Sequence, residues 1–191
     1  MKTSTPQAIF EDLTLERFLR LPEAKPALEF IDGKVVQKVS PKLTHSTLQL
    51  TLGSTILEHA RSRGLGRAYS ELRCIFGGMA LVPDLVFIRK GRIPKDAKGR
   101  KEEDVFLAPD LMIEVISPGQ TVKSMLARLN RSVAAGVRLG WLVQPRRKRI
   151  FVVSPGIQTA ILEPGSILDG GNVLPDFALP VAEIFGWLDE D

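Results

Sequence analysis

Two short apolar runs, each with a carboxylate set into it, constrain this chain more than any other feature of its sequence. The first is Pro83-Asp84 leading into Leu85-Val86-Phe87-Ile88, and the second is Asp110-Leu111-Met112-Ile113-Glu114-Val115-Ile116. Both have strand length and an apolar, β-branched character, and both are bounded by Pro or polar residues. An acidic group in a buried strand is costly unless something pairs it, and a divalent cation is the simplest partner for two of them. Asp84 and Glu114 are therefore candidate metal ligands.

A chain of 191 residues, 44% hydrophobic and 25% charged, suits one domain over 1–191 with a sizeable core, its residues 1–12 reading as a loose leader. No apolar run approaches membrane-spanning length, and the N-terminus lacks the apolar core of a signal peptide. Cys74 stands alone, which excludes a disulfide framework and a cysteine metal cluster. A cytoplasmic protein with no membrane partner is expected. The net charge is only +4, but no acidic residue occurs between Glu114 and Glu163. That interval carries Lys123, Arg128, Arg131, Arg138, Arg146, Arg147, Lys148 and Arg149, and a second basic cluster runs from Arg89 to Lys101. Such a distribution suits a polyanion, or a solvated surface with chance clustering.

Thr14 caps a short helix over 15–19, and Asp32-Gly33 marks a two-residue hairpin between Ala27–Ile31 and Lys34–Val39. The period turns helical from Leu43 to Arg63, with Gly64 as its stop. His45, Gln49, Leu52 and Ile56 share one face, so the apolar row passes into two polar residues where the helix reaches a site edge or merely caps the core. Ala68–Ile75 reads as a strand with Glu71 in its middle, and Phe76-Gly77-Gly78 as a turn into Met79–Ile88. After the Ser117–Gln120 turn, Val122, Met125, Leu126, Leu129 and Val133 form the stripe of a helix that Gly136 ends. Strands follow at Arg138–Val143, Ile150–Ser154 and Thr159–Leu162, then a last helix near Val181–Leu188. Strands and helices alternate centrally while hairpins dominate both ends, which predicts an α/β or α+β fold with a mixed sheet flanked by helices.

Two strand carboxylates can hold Mg²⁺ or Mn²⁺ while leaving positions for water and phosphate. Other chemistries are poorly supplied. Only His45 and His59 are present, and there is no zinc-type His/Cys spacing, no Gly-rich phosphate loop and no G-x-S-x-G elbow.

Pro83-Asp84 followed by Glu114-Val115-Ile116-Ser117-Pro118 resembles the PD-(D/E)XK nuclease superfamily, and more narrowly its bacterial putative restriction endonuclease family. Glu29-Phe30-Ile31-Asp32-Gly33, Ser40-Pro41, His45 with Gln49, and Gly136-Val137-Arg138 with Trp141-Leu142-Val143 extend the resemblance over most of the chain. It implies a restriction-endonuclease-like αβββαβ core with N- and C-terminal β-hairpin additions, Mg²⁺- or Mn²⁺-dependent hydrolysis of phosphodiester bonds in DNA, and a homodimer. It makes Asp84 and Glu114 the metal ligands with the backbone carbonyl of Val115, and gives Glu29, His45, Gln49 and Glu71 supporting roles.

The superfamily's lysine two residues after the glutamate is Ile116 here. The position on the following helix that carries it in this family, eight residues before Gly136, is Arg128. An arginine there can hold a phosphate by two hydrogen bonds but cannot act as a base. Arg128, Lys123 and Arg131 are the expected nucleic-acid contacts. Two alternatives remain open. One is a nuclease-fold protein that binds nucleic acid or a partner with weak or no cutting. The other is purely structural, with Asp84 capping a strand after Pro83 and Glu114 paired with Arg128 in a salt bridge.

Overall fold

The structure is a computed structural model and describes residues 8–10, 13–100 and 105–189. Strand β1 (Ala8–Phe10) and helix α1 (Leu15–Leu19) precede a hairpin of β2 (Leu28–Ile31) and β3 (Lys34–Gln37). Helix α2 (Leu43–Ser62) leads to β4 (Gly66–Ser70), β5 (Cys74–Phe76), β6 (Met79–Leu81) and β7 (Leu85–Arg89). Then come β8 (Leu111–Val115), α3 (Val122–Ala134) and β9 (Leu139–Gln144), followed by the hairpin of β10 (Arg149–Ser154) and β11 (Ile157–Leu162). The last elements are β12 (Ile167–Asp169), β13 (Ala178–Pro180) and α4 (Val181–Gly186).

The central sheet has the order β11-β10-β9-β8-β7-β4. Its pairs are antiparallel except β8 with β9, which run parallel because α3 carries the chain back between them. The series α2-β4-β7-β8-α3-β9 is the expected αβββαβ core, within a mixed α/β fold. A second, antiparallel sheet, β1-β3-β2-β6-β5, holds the N-terminal hairpin, and β12 with β13 forms a C-terminal one.

Successive residues of β7 point to opposite faces. Leu85 and Phe87 pack with Leu48, Leu52 and Ile56 of α2, while Val86 and Ile88 pack with Met125 and Leu129 of α3. A strand covered on both sides has no polar face, so its run is apolar without alternation. Helix α3 lies hard against β9. A Cβ on Gly140 would come within 2.7 Å of Leu129 Cγ, so glycine permits the close approach.

Thr14 Oγ1 accepts from Arg17 N at the start of α1, and the Asp32-Gly33 turn has φ of 54° and 73°, the left-handed pair of a type I′ hairpin. Three expectations need correction. The run Ala68–Ile75 is not one strand: β4 ends at Ser70, Glu71 turns the chain at φ 49°, and β5 belongs to the other sheet. Met79–Ile88 likewise divides at Val82-Pro83-Asp84, where Pro83 has no N–H for a ladder. Within the supposed loose leader, Ala8–Phe10 pairs antiparallel with β3; the rest of 1–12, and Lys101 of the second basic cluster, lie outside the described residues. Among the described residues no helix is long and apolar enough to cross a membrane.

Candidate active site

The β7–β8 register pairs Leu85 with Ile113, and its continuation by one place sets Asp84 opposite Glu114. Residues directly opposite in an antiparallel pair project from the same face. Both carboxylates are buried, 3% and 2% exposed, and they line one cavity of about 240 Å³ with Glu29, Lys38, Val115 and Arg128. Continuing the register one place further puts Pro83 opposite Val115. Proline offers no N–H to the Val115 carbonyl, and the Val115 N–H is taken by Asp84 Oδ2 at 2.8 Å instead.

Asp84 is the hub of the site. Its Oδ1 accepts from Lys38 Nζ at 2.7 Å, and the same ammonium donates to Val82 O at 2.7 Å. His45 Nε2 lies 3.4 Å from Asp84 Oδ2, and its Nδ1 is 2.9 Å from Ser117 Oγ. Gln49 donates to the Asp84 backbone carbonyl at 2.9 Å. Helix α2 thus leaves the core through His45 and Gln49 to reach the site edge. Burial alone would raise the Asp84 pKa, but the His45 and Lys38 contacts outweigh it and hold the carboxyl well below its ordinary range. For Lys38 burial opposes the charge, while Asp84 and Glu114 more than compensate and keep its pKa above the usual lysine value.

Arg128 is placed differently from expectation. Its Nε donates to Glu114 Oε1 at 2.9 Å, and its two terminal nitrogens donate to the two oxygens of Glu29 at 2.6 Å each. Glu29 Oε1 also accepts from Val82 N at 2.7 Å. The paired bonds foreseen for a phosphate are made to Glu29, and the Glu114–Arg128 salt bridge of the structural alternative is present. Burial works against the guanidinium, but Glu114 and Glu29 hold its pKa above the ordinary arginine value. Three carboxylates thus face two firmly charged cations, Lys38 and Arg128. Glu114 bears the imbalance: burial pushes it up to about 7, against the pull of Arg128 and with Asp84 adding to the push.

Glu71 does not join this group. It is exposed, and only its backbone N–H reaches the site, donating to Asp84 O at 3.2 Å. Lys123 is exposed on α3, and Arg131 forms an ion pair with Asp32. Lys38 was missed by sequence reasoning. It follows β3 as one more hairpin residue, and only the pairing of β2 with β6 carries that hairpin's end to Asp84.

Residues 15–182 match the Uma2 family, described as putative restriction endonucleases. The chain belongs to this family. It is also similar to the crystal structure of a putative nuclease of the DUF820 group from Anabaena variabilis, with 33% identity and a TM-score of 0.88 over 92% of this chain and 99% of that one. No curated protein matches it.

The cavity has the donor chemistry for the divalent ion that this family generally uses. Two carboxylates and a carbonyl left without its ladder donor are hard oxygen ligands, suited to Mg²⁺ or Mn²⁺. Among the described residues no group of three His, Cys, Asp or Glu side chains is arranged to hold a metal. The protein would therefore supply a partial shell, the usual situation for Mg²⁺ beside a phosphate.

Proposed function

We propose that this chain is a cytoplasmic, homodimeric endonuclease, one restriction-endonuclease-like domain per chain, that hydrolyses DNA phosphodiester bonds with Mg²⁺ or Mn²⁺ at Asp84 and Glu114. The observation that carries this reading is the meeting of Asp84 and Glu114 in one cavity with Lys38 and the Val115 carbonyl. Asp84, Glu114 and that carbonyl would hold the ion. A bound Mg²⁺ or Mn²⁺ supplies a water of lowered pKa and stabilises charge on a phosphoryl oxygen.

The chain's own residues do the rest. His45 and the Val115 N–H orient Asp84, each through its Oδ2. Lys38 spends two of its three ammonium donors on Val82 and Asp84, which leaves one for a phosphate oxygen in the cavity it lines. It takes the part that the missing superfamily lysine would play. Arg128 and Glu29 fix Glu114 in place rather than gripping substrate.

One observation favours a second reading, a nuclease-fold protein that binds nucleic acid without cutting. Arg128 already offsets charge on Glu114 and Glu29, so the fold is not dependent on a metal. Calorimetric titration of Mn²⁺ into wild type and Asp84→Ala, with nicking of plasmid and of circular single-stranded DNA on the same samples, separates the two. Binding and nicking that both vanish in the variant are expected. Binding without nicking supports the second reading, and no binding in wild type overturns the metal site.

A further inference from the structure

A second cavity of about 340 Å³ adjoins the carboxylate pocket and shares His45, Ser117 and Gln120 with it. The two are opposite in charge. Glu29, Asp84 and Glu114 line the first, whereas no acidic residue lines the second, where Lys42 and Arg146 are exposed. Neither cation forms an ion pair among the described residues. The lining of the second cavity also includes apolar Ile116 and Val122 and the amide of Gln144, which makes no side-chain hydrogen bond among the described residues. The first turn of α2 borders the same space and carries no acidic residue, so nothing there repels a phosphate.

We propose that this cavity receives one unstacked nucleotide beside the phosphate to be cut, so that the substrate is single-stranded at the cleavage site. The inference rests on the reading of Asp84 and Glu114 as the cutting centre. The volume lies at the small end of ligand cavities, enough for one base and sugar and too small for stacked pairs. A lone base requires apolar surface and a few polar partners for its edge, and the phosphate beside it requires cations. Ile116 and Val122, Gln144, and Lys42 with Arg146 answer these requirements in turn. In a duplex the base enters only after it is unstacked and unpaired, which weakens binding.

The test measures fluorescence anisotropy of a short labelled oligothymidylate in EDTA, single-stranded and annealed to its complement. The single strand is expected to bind roughly tenfold tighter or more, the worth of about one stacked base. Thr44→Trp, which fills the cavity from an exposed position, and Arg146→Glu should each erase most of that preference. Arg63→Glu, the same charge change at the far end of α2, should not. Equal binding of strand and duplex, or an equal loss in Arg63→Glu, overturns the proposal. Hydrolysis of bis(p-nitrophenyl) phosphate by wild type with Mn²⁺ reports separately on the cutting centre, since that small diester has no neighbouring nucleotide. Hydrolysis without strand preference overturns the nucleotide cavity alone; strand preference without hydrolysis supports the cavity and counts against the cutting reading.

Discussion

Arg128 shows how one side chain can hold the charges of two strands together, β2 and β8 meeting through it. It ties Glu29 on β2 to Glu114 on β8 through three hydrogen bonds, all within the protein. Removing one partner of a buried ion pair leaves the others uncompensated, at a cost of about 3–5 kcal/mol. Arg128→Met should lose about that much in urea unfolding, and Arg128→Met/Glu114→Gln should recover part of it. Glu114 makes a second prediction, in metal-free protein. Unfolded, it ionises near its ordinary 4.5; folded, it keeps its proton until about 7. The folded state therefore binds more protons in that window, and stability falls as pH rises through it, by roughly 1.4 kcal/mol per unit. Asp84 acts in the opposite sense: its depressed pKa contributes stability above about 3.8, which is lost on further acidification. Urea unfolding in EDTA at pH 5 and pH 7 should find the protein less stable at the higher value. Glu114→Gln should flatten the difference; an equal slope in that variant would sink the assignment.

At the scale of elements, the site depends on α3 being close enough to β9 for Arg128 to reach Glu114. Gly140 sets that distance, because a Cβ there would strike Leu129. Gly140→Ala should cost about 1–3 kcal/mol through overpacking, and Leu129→Ala about 2–5 kcal/mol through the cavity left behind. In the double variant the new methyl partly fills that space, so the combined loss in chemical unfolding should fall clearly below the sum. Elements governed by local chemistry were legible from the sequence. Thr14, the Asp32-Gly33 turn and the period of α2 each act within a few residues. What was not legible is the division of continuous apolar runs between two sheets. Residues 68–75 and 79–88 both read as single strands, because their apolar character is the same whichever sheet receives them. Only the left-handed turn at Glu71 and the missing N–H of Pro83 separate them. Glu71 was thereby misjudged as facing the site.

Across the whole molecule, the same limit applies to charge. The acidic pair Asp84 and Glu114 was legible because each sits in an apolar run, where a carboxylate is conspicuous. Lys38 was not, since a lysine at the end of a surface hairpin is unremarkable until the fold brings it to Asp84. The acid-free stretch from Glu114 to Glu163 read as a basic surface, yet most of its cations meet acids from elsewhere in the chain. Arg128 pairs with Glu29 and Glu114, Arg131 with Asp32, Arg138 with Asp110, Lys148 with Asp189 and Arg149 with Glu163. In the second basic cluster, Arg92 binds Asp110, at the opposite end of β8 from Glu114, and Arg100 binds Asp96.

Among the described residues, Lys123, Arg146 and Arg147 remain from that stretch without an ion pair, and Lys42 joins them at the second cavity. These four cations set the ionic-strength dependence expected of the proposed binding. Each phosphate neutralised on a single strand contributes about −0.7 to the slope of log K against log salt. Four cations predict a slope near −3, whereas the whole acid-free stretch with Lys42 would give about −6. Anisotropy titrations of the single strand in EDTA over a series of KCl concentrations measure it directly. A slope near −3 that shrinks in Arg146→Glu would place the strand over the second cavity, and one near −6 would mean that the paired arginines open to bind it.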